Sequence, residues 1–169
     1  MMNLLKIGMI LFRKIRKYCY TFKAKLQLKS YGKGLSVNSA SKFSANVKLG
    51  DNCKFNGIRV RGIGSLEIGD NFHSGNDLII ITSSHDYDSG NTLPYDTNRH
   101  IKYNVKIGKN VWVGDRVTIV GNLTIEDGAI LAAGTVVTRN VPFCAIVGGV
   151  PATIIKYRDI EHYNKLSNI

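Results

Sequence analysis

The stretch 107–140 decides the fold of this chain, and it reads IGKNVWVGDRVTIVGNLTIEDGAILAAGTVVTRN. When it is divided into sixes from its first residue, every lead position is aliphatic: Ile107, Val113, Ile119, Ile125, Leu131 and Val137. A period of six fits neither the helical period of 3.6 residues nor a single amphipathic strand. It is typical of a solenoid whose coils turn a corner every six residues.

The positions that follow the lead residues are small or turn-forming. They are Gly108, Gly114, Asp115, Gly121, Asn122, Asp127, Gly128, Ala132, Ala133 and Gly134. Such residues suit corners, where the backbone needs a positive φ or leaves no room for a side chain. The stretch therefore predicts a parallel β-helix built from hexapeptide repeats.

The same period appears earlier in the chain, in two further phases. The first comprises Val37, Phe43, Leu49 and Phe55, and the second Val60, Leu66, Phe72 and Leu78. Gly57, Gly62 and Gly64 cluster at the change of phase and can accommodate it. We therefore predict a β-helix domain over residues 35–158, preceded by a basic amphipathic helical extension over 1–34. A C-terminal tail over 159–169 completes the expected organisation.

The period fails between the second and third phases, where the segment SSHDYDSGNTLPYDTNRHIKYN is polar and contains Gly90 and Pro94. We predict an excursion loop over about 85–104. In repeat proteins such insertions often lie on the binding face, and this one carries Asp86, Tyr87, Asp88, Tyr95, Asp96, Arg99 and His100. The alternative is a solvated loop without a role.

His85 stands where the chain leaves the solenoid. A histidine can accept a proton at neutral pH, so this residue is a candidate general base. The alternative is a histidine that only hydrogen-bonds the loop. Asp86, Asp88 and a backbone carbonyl are all candidates for the group that orients its ring.

The formal net charge is +11, and the excess lies in the first part of the chain, because residues 1–50 contain no Asp or Glu. Residues 1–30 fit neither a signal peptide, because Lys6 interrupts the apolar run, nor a membrane-spanning helix, because that run ends at Phe12. They do fit an amphipathic helix whose apolar stripe is Leu4, Leu5, Met9, Phe12, Ile15 and Tyr18 (or Cys19).

The stripe has two candidate partners. It packs on the solenoid end or a neighbouring subunit, or else residues 1–29 contact an anionic membrane. Nucleic acid is not an expected partner, since no nucleic-acid motif surrounds the basic residues. We expect a cytoplasmic protein, with peripheral attachment to the inner face of the membrane as the alternative.

No metal is expected. His73, His85 and His100 lack the close pairing that histidine ligands usually show, and Cys19, Cys53 and Cys144 lack ligand spacing. The cysteine pattern also argues against a disulfide framework and favours a reducing compartment.

The motifs IGKNVWVGDRVTI, IEDGAILAAGTVVTRNVP and AIVGGVPATIIKYR, together with SSHD before the excursion, resemble the left-handed β-helix acyltransferases. The most similar branch contains the maltose, galactoside and capsular-polysaccharide O-acetyltransferases. This resemblance implies an all-β, left-handed parallel β-helix, a homotrimer with active sites between subunits, and acetyl-CoA as acyl donor.

The resemblance also implies roles for individual residues. His85 matches the family's catalytic histidine, and the backbone N–H of Asp115 matches its oxyanion donor. The family's CoA contacts fall on Ala133, Thr138, Arg139 and Lys156. Asn56 matches a sugar-binding asparagine, and Asp86 is a second candidate for substrate binding.

We therefore expect an acetyl-CoA-dependent O-acetyltransferase that modifies a saccharide hydroxyl in a capsule, O-antigen or related glycan. The alternatives are an N-acyltransferase on an amino-sugar precursor, a β-helix metal hydratase and a non-catalytic scaffold. The sequence does not name the sugar or the hydroxyl.

Overall fold

The structure is a computed structural model that describes residues 2–44 and 46–167. Its elements in chain order are α1 Met2–Lys25, β1 Ser30–Tyr31, β2 Ser36–Val37, β3 Val47–Leu49, β4 Lys54–Phe55, β5 Ile58–Arg61, β6 Ser65–Ile68, β7 His73–Ser74, β8 Leu78–Ile81, β9 Ser83–Asp86, β10 Asp96–Lys102, β11 Asn104–Ile107, β12 Trp112–Val113, β13 Thr118–Val120, β14 Leu123–Ile125, β15 Ile130–Leu131, β16 Val136–Val137, β17 Ala145–Gly148, β18 Thr153–Tyr157 and α2 Ile160–Ser167.

Three parallel sheets form the three faces of the solenoid. The first face has the strand order β1-β3-β6-β11-β14, the second has β2-β4-β7-β12-β15-β17, and the third has β5-β8-β13-β16. Each of the four central coils contributes one short strand to each face in turn, so neighbours in a sheet are separated by a whole coil. The prediction of a hexapeptide β-helix is confirmed.

The lead residues of the stretch 107–140 stack in register. Ile107 pairs with Ile125, Val113 with Leu131, and Ile119 with Val137. All six are at most 3% exposed. The six-residue period therefore marks one inward position for each strand, which is why it is visible in the sequence.

Most of the second phase proposed from the sequence occupies a different inward position, and only Val60 lies in the lead column, where it pairs with Ile80. The four members of the phase are buried as expected, but Leu66 pairs with Val47 rather than with a lead residue. The lead column itself continues through Ile68, Ser74 and Ile80. Many strands bury alternate residues, so two inward positions lie two residues apart. The change of phase in the sequence is therefore partly a change from one inward position to the other.

Asparagines stack at the corner between the first and second faces. Asn52, Asn71 and Asn110 all have φ of 56–57°, a region that asparagine tolerates better than most residues. The Asn52 amide donates to Asn71 at 3.2 Å, and the Asn71 amide donates to Asn110 at 3.0 Å. The Asn110 amide donates to the hydroxyl of Tyr163 at 3.0 Å. Tyr163 lies in α2, so the predicted C-terminal tail forms a helix that ends this ladder.

The N-terminal segment is a helix, and its C-terminal turns cover the first coil. Ala24 is 1% exposed within the core, and the Thr21 hydroxyl accepts a hydrogen bond from the Val37 N–H at 2.9 Å. The predicted stripe does not make this contact, because Phe12, Ile15 and Tyr18 are exposed. The hypothesis that the stripe packs on the solenoid of its own chain is therefore wrong. Leu4 and Leu5 lie outside the residues whose side chains are described.

The excursion is a β-hairpin rather than a loop. Strands β9 and β10 pair antiparallel, with His85 opposite His100 and Ser83 opposite Lys102. We call this hairpin, residues 83–102, the arm. The arm leaves the solenoid after Thr82 and rejoins it at Tyr103. These two residues lie side by side, and the Tyr103 N–H donates a hydrogen bond to the Thr82 carbonyl at 2.8 Å.

A glycine, Gly64, allows the backbone to pack closely against the two ends of the arm. The Gly64 N–H also donates to the Thr82 carbonyl, at 3.1 Å, and a Cβ on Gly64 would overlap the carbonyl oxygens of Thr82 and Tyr103. These are backbone atoms, so no side-chain rotation relieves the overlap. The cluster of glycines noted in the sequence therefore has a role in seating the arm.

We predict that Gly64→Ala lowers the free energy of unfolding by about 1–3 kcal/mol, the usual cost of forcing extra volume into a packed site. Chemical denaturation measures this change, and the amide NMR signals of Thr82 and Tyr103 should shift. Gly8→Ala is the matched control, because a Cβ at Gly8 meets nothing within 4 Å. Equal stability of the two variants would contradict the role given to Gly64.

Candidate active site

The ring of His85 is held between two other rings of the arm. Tyr95 stacks on it with a centroid distance of 3.9 Å and an interplanar angle of 15°. His100, its partner across the hairpin, approaches edge-on at 4.7 Å and 68°. Ring packing of this kind fixes the orientation of an imidazole without a hydrogen bond.

One nitrogen of His85 is buried without a partner. Its Nδ1 atom has no hydrogen bond to any residue of the described ranges 2–44 and 46–167. A neutral imidazole uses one nitrogen as donor and the other as acceptor. The packing of Tyr95 and His100 therefore leaves this nitrogen without a protein partner, a feature that the spacing of residues in the sequence does not indicate.

Asp86 is engaged in its own turn and does not orient His85. Its carboxylate accepts hydrogen bonds from the Ser89 hydroxyl, from the Ser89 N–H at 3.1 Å and from the Asp88 N–H at 3.3 Å. The hydrogen bond from the Ser89 hydroxyl is the main reason that the pKa of Asp86 is lowered from its ordinary value. Arg99 supports the same turn by donating to the Ser89 carbonyl at 2.8 Å.

Asp115 lies at the corner between the second and third faces, and its backbone N–H is free. In the preceding coil, the Asn76 N–H at the same corner position donates to the Asp115 carboxylate at 2.6 Å. The equivalent acceptor for the Asp115 N–H would be the side chain of Ala133, which has none. In the part of the chain that the structure describes, this N–H has no hydrogen-bond acceptor.

Ala133 stacks directly on Asp115. The Gly134 N–H donates to the Asp115 carbonyl at 2.8 Å, which fixes the two corners relative to each other. Both Asp115 and Ala133 are exposed. A small side chain above an unpaired N–H leaves an open position against the wall of the solenoid. This corner can therefore accept an oxygen from a bound molecule.

The other predicted donor-binding residues lie nearby on different elements. Thr138 and Arg139 are exposed at the corner after β16, on the far edge of the third face. Lys156 is exposed on β18, where it pairs with Ile146 at the edge of the second face. The structure therefore places Asp115 with Ala133, and Thr138 with Arg139, but it separates the two pairs by the width of the third face.

That width also separates His85 from Asp115 within one chain. The arm leaves the solenoid after β8, and Ile81 pairs in register with Val120. Asp115 lies before the opposite end of β13, at a corner where Arg116 has a φ of 57°. No hydrogen bond or ring contact joins His85 to this corner among the described residues.

Asn56 lies at the same edge as Asp115, two coils earlier. Its amide oxygen accepts from Asn38 at 2.9 Å, and its amide nitrogen donates to the Ser74 carbonyl at 3.1 Å. Both ends of the amide therefore take part in stacking the coils. Its predicted contact with a sugar stays a prediction.

Sequence reasoning missed the role of one aromatic residue at the site. Tyr95 is only one member of the polar excursion in the sequence, but in the structure it covers one face of His85. Trp112 projects from the second face and is 54% exposed. Its side chain borders a cavity that His73, Asn110 and Tyr163 also line, so it lies away from the Asp115 corner.

Two of the cysteines, Cys53 and Cys144, are buried. Burial raises the pKa of Cys53 to about 11 and also raises the pKa of Cys144. Both thiols therefore stay protonated at neutral pH, which makes them poor nucleophiles. Within residues 2–44 and 46–167, no three His, Cys, Asp or Glu side chains come together in a way that could hold a metal ion.

These features define a hexapeptide-repeat coil with a histidine-bearing arm. Residues 104–139 match the family described as bacterial transferase hexapeptide (six repeats). The resemblance to hexapeptide-repeat acyltransferases that the sequence predicted is confirmed.

The relatives of this chain are acetyltransferases. Over 147 residues it is 29% identical to the putative lipopolysaccharide biosynthesis O-acetyl transferase WbbJ of Escherichia coli, covering 83% of this chain and 69% of that protein. Its structure matches that of a maltose O-acetyltransferase from Clostridium difficile with a TM-score of 0.62 and 27% identity, covering 79% of this chain and 67% of the other.

A solved galactoside acetyltransferase in complex with coenzyme A has the same fold. Its TM-score is 0.64 at 22% identity, covering 80% of this chain and 68% of that one. At that identity the match shows the fold alone.

We predict that Ser89→Ala raises the pKa of Asp86 toward its ordinary value, because the largest stabilising hydrogen bond to the carboxylate is lost. A carboxyl ¹³C NMR titration measures this. A lowered carboxylate pKa stabilises the folded arm above the unfolded pKa, and that contribution disappears as the pH falls through the folded pKa. In Ser89→Ala, the stability of the arm should therefore fall less as the pH is lowered through the acidic range. Thr92→Ala, in the same turn region, should leave the pKa of Asp86 in place.

Proposed function

We propose that the protein is an acetyl-CoA-dependent O-acetyltransferase that modifies a saccharide hydroxyl. The observation that carries this proposal is His85, held between Tyr95 and His100 on an arm that projects from a hexapeptide coil. The O-acetyltransferases named above support it, because they share that coil. A non-catalytic scaffold would not need an oriented imidazole with a buried, unpaired nitrogen.

In the proposed reaction, His85 accepts the proton of the sugar hydroxyl as the oxygen attacks the thioester carbon of acetyl-CoA. The new C–O bond forms as the carbonyl oxygen becomes an oxyanion, which the Asp115 N–H stabilises by donating a hydrogen bond. The C–S bond then breaks, and the CoA thiolate takes the proton from His85. The transfer is direct, so it needs neither an acyl-enzyme nor a cysteine nucleophile.

The proposed active unit is a homotrimer with sites between subunits. Within one chain, His85 and the Asp115 corner lie at opposite edges of the third face. A base must come within hydrogen-bond reach of the proton it abstracts. Pairing the arm of one subunit with the open corner of its neighbour satisfies that requirement.

The acyl donor would lie along the open corner. Ala133 leaves room for the pantetheine arm. Thr138, Arg139 and Lys156 are the proposed contacts for the polar and phosphate groups of the coenzyme. Arginine and lysine are suited to phosphate recognition.

The acceptor is proposed to be a sugar of a capsule, O-antigen or related glycan, with Asn56 and Asp86 as candidate contacts. The alternative acceptor is an amino sugar, which would make the protein an N-acyltransferase.

We also infer a cytoplasmic location with peripheral contact between residues 1–29 and the anionic inner face of the membrane. The cation excess of that segment supports this contact. Among the described residues, no helix is long and apolar enough to cross a membrane.

We predict that His85→Gln lowers kcat for acetyl transfer by about 10²–10⁴-fold, the usual contribution of a general base. Release of free CoA thiol from acetyl-CoA measures the rate, with hydroxyl-only and amino sugars assayed in parallel. His73→Gln is the control, since His73 lies on the second face and away from the arm. Full activity of His85→Gln would remove the proposed base, and a clear preference for amino sugars would favour N-acyl transfer.

We predict that Ala133→Leu raises the KM for acetyl-CoA by about tenfold or more, because a branched side chain would fill the open corner. The enlargement should leave the KM for the sugar acceptor nearly unchanged. Thr124→Leu adds a side chain of the same size on the outward side of the first face and serves as the control. An unchanged KM for acetyl-CoA in Ala133→Leu would move the donor site elsewhere.

A further inference from the structure

Helix α1 carries an apolar stripe on the side that faces away from the solenoid. Ile15 and Ala24 are nine residues apart, which at 3.6 residues per turn places them about 180° apart around the helix. Ala24 is 1% exposed and seated on the first coil, whereas Ile15 is 54% exposed. The side of the helix opposite the solenoid is therefore its apolar side.

The rest of the stripe follows Ile15 along the helix. Phe12, Tyr18 and Phe22 lie within about 60° of Ile15 around the helix, and they are 64%, 73% and 54% exposed. The preceding turns are apolar as well, with Ile7, Met9, Ile10 and Leu11 all exposed. Isolated exposed apolar residues are common on proteins, but a continuous stripe of large ones marks a binding surface.

Basic residues border the stripe on both sides. Lys14 and Lys25 lie about 80–100° from Ile15 in one direction, and Arg16 and Lys23 lie equally far in the other. Helix α1 contains seven cations, Lys6, Arg13, Lys14, Arg16, Lys17, Lys23 and Lys25, and no acidic residue. Long basic side chains at the border of an apolar stripe can keep their charged ends at the level of lipid phosphates.

We propose that this stripe is the docking surface for an anionic lipid bilayer, with α1 lying in the plane of the interface. In this position the apolar side chains enter the lipid to a depth of about 5–10 Å. The border cations contact anionic headgroups, and the solenoid stays on the aqueous side. A second copy of the chain is the less favourable occupant, because it would bring two seven-cation helices together without compensating acids.

The docking surface narrows the class of acceptor, and this step rests on the proposed O-acetyltransferase function. The arm leaves the third coil, whereas α1 covers the first. Coils in a parallel sheet are about 4.8 Å apart, so the two features are about 10 Å apart along the solenoid axis. The enzyme would therefore work close to the membrane surface. The acceptor class that fits is a saccharide carried on a lipid anchor, modified before it is released as a free polymer.

Membrane docking is tested by cosedimentation of the full-length protein with vesicles of phosphatidylglycerol and phosphatidylcholine, and with phosphatidylcholine alone. Ile15→Ser with Phe22→Ser should weaken binding to the anionic vesicles by about tenfold or more. The matched control is Ile160→Ser with Leu166→Ser, which removes two exposed apolar side chains from α2 and should bind as the unaltered protein does. Equal binding by both double variants, or no binding by the unaltered protein, would overturn the proposal.

The orientation of α1 is tested by the depth of a fluorescent probe attached to single cysteines, in a Cys19→Ser background. Lipid-borne quenchers should quench a probe at Ile15 strongly and a probe at Lys17, about 200° from it, weakly. If the probe at Ile15 is already shielded without vesicles, and Ile15→Ser with Phe22→Ser changes the oligomeric state, a second copy covers the stripe and the proposal fails.

The acceptor class is tested by comparing a lipid-linked saccharide in vesicles with the same saccharide free in solution. The stripe variant should lose at least about fivefold in kcat/KM on the lipid-linked acceptor and none on the free one. Equal loss on both would overturn the inferred acceptor class. If the unaltered protein transferred no acetyl group to either acceptor, the proposed function would be refuted, while the vesicle-binding result would stand.

Discussion

The structure depends on the stacking of inward side chains in register from coil to coil. Each strand is only two to seven residues long, far too short to be stable alone. It persists because a coil above and a coil below present identical positions to it. In the central stretch the column holds Ile107 over Ile125 and Val113 over Leu131. Apolar burial and ladder hydrogen bonds are therefore gained together, one coil at a time.

This stacking also explains where the candidate site lies. A regular coil presents the same corner repeatedly, and its N–H groups are largely taken up by the next coil. Chemistry becomes available only where the regularity is broken. One break is Ala133, which leaves the Asp115 N–H without an acceptor. The other is the arm, which takes His85 away from the wall and surrounds it with rings. The candidate site is formed by two local departures from one repeat.

The sequence predicted the coil well, because a six-residue period directly reflects a column of buried residues. It was less informative where two inward positions exist on one strand, as at Leu66 and Ile68, since either can carry the period. The arm was visible only as a failure of the period. Its antiparallel pairing depends on Gly64, Thr82 and Tyr103, which are far apart in sequence.

The candidate site shows the same limit. His85 was found because it adjoins the failed period, but its packing against Tyr95 depends on the return path of the hairpin. The orientation of α1 was not predictable either. The stripe at Ile15 was clear from the spacing, yet the contact with the first coil is made by Thr21 and Ala24. Small residues permit close approach of the helix to the coil, and the spacing of large apolar residues does not predict such a contact.

The asparagine ladder ends before the solenoid does, because β14, β15 and β17 continue the first and second faces beyond the coil of Asn110. Each amide in the column donates upward and accepts from below, so the last one always presents an unused donor. In this chain the hydroxyl of Tyr163 receives it, and Gly128 gives the ring its space, since a Cβ there would come within 2.7 Å of it. One phenol therefore takes the place of the next asparagine, and the ladder of side-chain amides is exchanged for a contact with α2. The same hydrogen bond that satisfies the last amide thus fastens the C-terminal helix to the side of the solenoid.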